Sequence, residues 1–252
     1  GARNELLDAE AARQLEPALS ADTPFHSALF MPDDWAGNCP LFVRQLKTRA
    51  QDMGVEFHFN SEVQAIRPEL GGVSFTIDGN QIDADAVVIA AHADQSLRML
   101  KAPTSEQQRL LSAFHYQHND ASLHTDDSVM PKRRRAWASW NFRVEEQQGG
   151  HRKAATHYWM NALQGVSKKQ NYFVSLNSTD RIDPQSVHYS TTYDHPIFTL
   201  EAIRAQRELP SLNRAGRIFF CGSYFRYGFH EDACMAGFDA AAAVSTFLAR
   251  RR

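Results

Sequence analysis

Two clusters near the C-terminus, Gly222-Ser223 and Gly228-Phe229-His230-Glu231, have the residue types and spacing to serve chemistry. The apolar run Ile218 to Cys221 stops at Gly222, and an alanine-rich stretch of high helix propensity follows His230-Glu231-Asp232. A strand, a glycine turn and a helix in that order aim backbone N–H groups at an anion or an electron-rich ring. Acidic residues in the first turn suit the helix dipole. His230 has the titration range of a base near neutral pH, and Tyr227 stands in the same turn as a second candidate catalytic group. The competing reading is a C-terminal helix packed on a sheet edge with a purely structural turn.

Tyr158, Trp159 and Asn161, with Tyr224 and Tyr227, could form the aromatic wall of a substrate pocket, or they are ordinary core. His115, His118 and His124 do not share a metal-binding spacing, since residues three apart on a strand face opposite sides, and no metal is expected. Cys39, Cys221 and Cys234 form neither a ligand spacing nor an even disulfide set; Cys221 and Cys234 read as small core residues. No Gly-x-Ser-x-Gly elbow, Walker loop or Cys-x-x-Cys is present.

Those candidates need a frame. A chain of 252 residues can bury a real core, as one large domain or two interleaved ones. The formal net charge of −2 implies no general polyanion affinity, and no nucleic-acid partner is expected. Lys132-Arg133-Arg134-Arg135 and Arg250-Arg251-Arg252 read as a solvated turn and a frayed tail, with a phosphate patch as the alternative. No apolar run of spanning length and no signal peptide are read, so a cytoplasmic location is expected.

Along the chain, Asp8 is a plausible cap of a short helix ended by Pro17, 28–31 a short strand, and Pro32-Asp33-Asp34 a turn. Asn38 could cap a helix with Leu41, Val43, Leu46, Ala50 and Met53 on its apolar face, closed by Gly54. Val55, Phe57 and Phe59 alternate like a half-buried strand, and Val63 and Ile66 follow on a second. Residues 73–77 with Asp78-Gly79 predict part of a hairpin, and 86–91 an apolar strand covered on both faces. Helices are expected over 105–114 and 199–209. Between them, strands at 115–124, 136–143, 156–161, 172–176 and 187–192 suit an antiparallel sheet.

Phe220-Cys221-Gly222-Ser223-Tyr224 with Tyr227-Gly228-Phe229-His230-Glu231-Asp232 resembles the C-terminal flavin-binding segment of FAD-dependent amine-oxidase-type oxidoreductases. His92-Ala-Asp-Gln-Ser-Leu97, the 130–141 segment, 158–161 and Thr192-Tyr-Asp-His-Pro-Ile-Phe198 extend the likeness to a bacterial branch of these flavoproteins. Residues 1–92 instead resemble D-amino-acid dehydrogenases and oxidases, through Leu15-Glu-Pro-Ala-Leu19, Pro32-Asp33-Asp34 and the run after Gly54. The resemblance implies FAD as cofactor, a small amine-like substrate, and hydride transfer to flavin. Cofactor contacts fall on Val63 (otherwise an ordinary strand valine), Ala91, Gly222, Ser223, Gly228, Phe229 and Glu231; His92 stands where many relatives have glycine.

The implied fold is α/β (α+β overall): an incomplete FAD/NAD(P)-binding Rossmann-like domain interleaved with a mainly antiparallel β substrate domain. Segments 38–68, 85–100 and 211–252 fall on the FAD side, 1–37 and 101–210 on the substrate side, and 69–84 on a hairpin. Such proteins carry a strand–GxGxxG–helix unit for the pyrophosphate, and this sequence has none. The expectation is a fragment or truncated gene product, or a chain whose sheet is completed by rearrangement, a homo-oligomer or a partner chain. The alternative function is a catalytically silent remnant acting as a binding or assembly module.

Overall fold

The computed structural model describes residues 3–16, 19, 22, 24–33, 39–146 and 152–250. It divides into two compact units, Gly1–Phe57 and His58–Arg252. In the first, β1 (Glu5–Asp8) leads into α1 (Ala9–Leu15) and pairs antiparallel with β2 (Ser27–Phe30). Asp8 caps α1, its carboxylate accepting from the Ala11 amide at 2.8 Å. α2 (Cys39–Asp52) ends at Gly54, whose φ of 90° suits a residue without a side chain. The apolar positions of α2 are not core: no residue of the helix is buried. Pro17, Asp34 and Asn38 lie outside the described residues. The expected strand at 55–59 is absent among the described residues, and the segment is exposed.

The second unit opens with β3 (Val63–Glu69), β4 (Gly72–Ile77) and β5 (Asn80–Ala84), an antiparallel three-stranded sheet. Asp78 and Gly79, at φ 50° and 81°, make the tight turn that their sequence demands. β6 (Val87–Ile89) follows, then α3 (Ala93–Met99) and α4 (Ser105–Ser112), the latter capped reciprocally by Thr104 and Gln107. β6 is shorter than its apolar run, and Val88 is exposed while Ile89 is buried.

Next come β7 (His115–His124), β8 (Trp140–Glu146), β9 (Arg152–Trp159), α5 (Met160–Gln164), β10 (Phe173–Leu176) and β11 (Val187–Ile197). The five strands form one antiparallel sheet in the order β11-β7-β10-β9-β8. β8 begins four residues later than expected, and β9 gives way to α5 at Met160. α6 (Leu200–Gln206), capped by Thr199, leads to β12 (Ile218–Phe220) and α7 (His230–Ala249).

β12 lies parallel to β6, with Ile218 opposite Val87 and Phe220 opposite Ile89. Beneath them sits the main core, built from Ile66, Ile89, Leu110, Leu111, Phe114, Leu209, Phe220 and Tyr224. Asn213 stands on the outer side of β12. Its side-chain oxygen accepts from the Phe220 N–H and its amide donates to the Phe220 carbonyl, both at 2.8 Å. One side chain thus replaces a neighbouring strand.

By length and composition α7 is long and apolar enough to cross a membrane, which the sequence reading did not anticipate. Alanine raises its mean hydropathy, while Asp239 stands mid-helix and Ala236 and Ala240 pack with Cys221. Cys221 is buried as expected, but Cys234 is exposed on the other side of that helix.

Candidate active site at two parallel strand ends

The carboxyl ends of β6 and β12 open side by side, the Cys221 amide donating to the Ile89 carbonyl at 3.1 Å. Beyond them the chain turns at Ala91-His92 and at Gly222-Ser223. A Cβ on Gly222 would stand 2.7 Å from the Tyr224 ring and 3.5 Å from the Ala91 carbonyl oxygen, at φ 152°. Only glycine lets these turns close together, and the crevice outside adjacent parallel strand ends is where open α/β sheets bind ligands.

The crevice has an aromatic floor. Tyr224 is 2 % exposed, its ring 5.3 Å edge-on to Phe114, and burial holds its phenol well above the ordinary tyrosine value. It supports the turn from below instead of lining an open pocket. His92 stacks on Tyr116 with ring centroids 4.3 Å apart, and the Tyr116 hydroxyl accepts from the Ala93 amide at 2.9 Å. Burial pushes the Tyr116 phenol up to about 12. The start of α3 is therefore occupied by protein groups.

At the start of α7 the structure corrects one expectation. The Tyr227 and Phe229 amides are not free: both donate to Asp232 Oδ2, at 3.2 and 3.0 Å. Asp232 is 8 % exposed and reaches back over the turn as a cap. The first-turn amides of His230, Glu231 and Asp232 lack intrahelical acceptors by helix geometry. His230, Glu231, Tyr227 and Phe229 are exposed around them. Gly228, at φ 91°, lets Phe198 approach: a Cβ there would lie 3.2 Å from its ring. Tyr227 lines an apolar pocket of about 510 Å³ with Phe198, Ile203, Phe225 and two arginines, Arg207 and Arg226.

Val63, at the start of β3, packs against the main core and lines a cleft of about 820 Å³ with Gln95, Arg98 and Lys101. α3 links the two places, since His92 precedes it at the strand ends and Gln95 and Arg98 reach this cleft.

The proposed aromatic wall does not form as one surface. Neighbouring strand residues face opposite sides, so Tyr158 shares a face with its partners Trp140 and Val174, while Trp159 points the other way. Trp159 packs on Trp137 and Phe173, and its indole donates to Asn171 at 3.2 Å. Asn161 organises the following loop. Its amide donates to the Ser167 and Gln170 carbonyls at 2.7 Å each, and its oxygen accepts from the Tyr172 amide at 2.7 Å.

Sequence reading also missed a buried polar row. Ser122, Ser175 and His157 are directly opposite one another across three strands, and His124 lies on the same face. Ser175 Oγ lies 2.7 Å from both His124 Nε2 and His157 Nδ1. The single serine proton goes to one ring, so the other ring donates to the serine oxygen. Burial lowers the His124 pKa from the ordinary 6.5 to about 4; Asp126 opposes the shift, while His157 and His188 add to it. Asp232 at N3 of α7 was findable as an acidic residue at a cap position; the serine–histidine row had no linear signal.

A family model described as FAD dependent oxidoreductase matches residues 1–168. A D-amino acid dehydrogenase of Vibrio vulnificus (strain YJ016) is 33% identical over 92 residues, which are 36% of this chain and 22% of that protein. Among solved structures, cyclohexylamine oxidase from Brevibacterium oxydans IH-35A superposes with a TM-score of 0.54 at 14% identity, over 84% of this chain and 53% of that one. A redesigned putrescine oxidase gives 0.52 at 13% identity, over 82% and 52%. At those identities the likeness is one of fold. The chain spans about half the length of these oxidases and about a fifth of the dehydrogenase. With two thirds of its residues matched by the family model, the chain belongs to the FAD dependent oxidoreductase family.

Proposed function

We propose that the chain forms the flavin-edge and substrate-wall portions of an oxidoreductase that oxidises a small amine-like substrate by hydride transfer to FAD. The observation that carries this reading is the closure of Gly222 onto Ala91 at the ends of two parallel strands, beside the N-terminus of α7. Segments 85–100 and 211–252 would face the cofactor, and 101–210 would supply the substrate side.

The donor set fits the ring end of the cofactor. Gly222, Ser223 and Ala91 offer a backbone-lined crevice, and the first turn of α7 offers amides where negative charge is favoured. Val63 and its cleft would take the adenine end. The pyrophosphate cradle has no counterpart here, as the sequence carries no GxGxxG. Bound FAD would supply the hydride acceptor. In the chain itself, His230 would take the amine proton, Tyr227 would close the apolar pocket over the substrate, and Asp232 would hold the turn in shape.

The second reading is a silent assembly module. It is favoured by that missing glycine motif and by β6, which among the described residues pairs on one side only.

The test is the visible spectrum of the purified chain before and after adding FAD and removing the excess. A bound-flavin spectrum that bleaches with reductant, and is lost in Gly222→Val, is expected. A colourless protein that takes up no FAD would overturn the claim that the chain acts as an enzyme by itself and leave the assembly reading.

A further inference from the structure

The two edges of the five-stranded sheet, β11 and β8, are built differently. β11 is guarded: Pro196 brings a position with no N–H, and the register shifts between Val187 and Tyr189. Prolines and bulges keep a sheet edge from pairing with another chain. β8 pairs with β9 on one side and, among the described residues, with nothing on the other. It runs in unbroken register from Trp140 to Glu146 and contains no proline.

The register fixes what that open edge presents. The Trp159 amide donates to the Ser139 carbonyl at 2.9 Å, so the hydrogen-bonded pairs that follow are Asn141 with His157 and Arg143 with Ala155. The backbone groups of Trp140, Phe142 and Val144 therefore point outward. Their side chains share one face, beside Tyr158, Thr156 and Ala154 and turned away from the buried His157. They are 59%, 60% and 51% exposed. Asn141 pins the start of the strand, its amide donating to the Ala138 and His157 carbonyls at 2.7 and 3.3 Å. Such an edge is a template for one more antiparallel strand.

A second β8 fits it. A twofold axis through Phe142 sets Phe142 against its copy and Trp140 against Val144 of the copy, so every apolar residue of the row meets another. These are hydrogen-bonded pairs, because each joins residues whose backbone groups face outward. On the other face the same register sets Asn141 against Arg143 of the copy. An axis at Arg143 would oppose two like charges, and an axis at Asn141 would leave Val144 beyond the start of the partner strand.

We propose that β8 is a dimerisation edge, joining two copies of this chain into one continuous sheet by antiparallel β8–β8 pairing centred on Phe142. The pairing is independent of the flavin reading and of the open edge of β6.

The experiment is sedimentation velocity of the full chain from nanomolar to tens of micromolar concentrations, where a reversible monomer–dimer equilibrium is expected. Phe142→Asp sets two carboxylates against each other and should weaken it roughly tenfold or more. Val144→Pro removes an outward N–H, leaves the β8–β9 ladder intact and should also weaken it. Both positions are exposed, and unchanged circular dichroism would show that the variants fold. In a Cys39→Ser, Cys234→Ser background, Phe142→Cys should cross-link to its copy on oxidation, and Val144→Cys should not. A chain that stays monomeric at every concentration would overturn the proposal. So would a dimer that Phe142→Asp and Val144→Pro leave unweakened, or cross-linking at Val144→Cys in preference to Phe142→Cys.

Discussion

β6 and β12 pair over only three residues each, and what secures them lies outside the strands: an apolar core beneath, the Asn213 side chain on one edge, and Tyr224 folded under the turn. The antiparallel sheet secures itself. Its strands pair over as many as ten positions, and Ser122, Ser175, His124 and His157 form a buried polar row across its middle. Apolar packing is nondirectional and tolerates small shifts, whereas a hydrogen-bonded row fits one register only. The contrast suits the two roles proposed for them: a crevice that would admit a cofactor, and a wall that would keep its shape.

That contrast can be broken most strongly at Phe220. It is fully buried and shares both backbone groups with Asn213, so Phe220→Ala is expected to cost about 3–5 kcal/mol. Denaturant unfolding should show the loss, with the three-residue pair the first region to gain amide exchange. If β7 and β10 exchange first, the two regions are not held by different means.

A smaller effect is expected at Ser175, where alanine removes the shared partner of two buried rings. The cost is about 1–3 kcal/mol for each nitrogen left unpaired. Ser175→Thr keeps the hydroxyl and should restore part of it. Equal stability of the alanine and threonine variants would reduce the row to packing.

The mildest perturbation is acid. Above about pH 6.5 His124 is neutral in both the folded and unfolded chain and contributes no slope. Between 6.5 and about 4 the unfolded chain binds a proton there that the folded chain does not. Stability therefore falls as pH drops through that window, and the slope from this group ends below it. His124→Gln should flatten that part of a stability–pH curve, measured as the denaturant midpoint from pH 7 to 4. An unchanged slope would mean that the ring is not held neutral.

Much of this was legible in linear order. The 115–124 alternation gave β7 its bounds, Asp78-Gly79 gave the hairpin, and Asp8 gave a cap, because each is a local rule. The order of β12, Gly222 and α7 was legible too, since a strand ending in glycine before an acidic helix start is a local pattern. What failed depends on neighbours distant in sequence. Residues 55–59 alternate like a strand but form none among the described residues, and α2 has an apolar face with no buried residue. Tyr158 and Trp159 read as a pair although strand geometry sets them back to back. His124, Ser175 and His157 look like surface residues until the register places them opposite one another.

Asn213 carries a last consequence, for the direction in which this sheet can grow. By taking the N–H and C=O of Phe220 it works as an end-stop, leaving β12 nothing to offer an incoming strand at that position. β6 has no such stop among the described residues. Among the described residues the parallel layer is thus a one-way template, stopped at Phe220 by Asn213 and open past Val88.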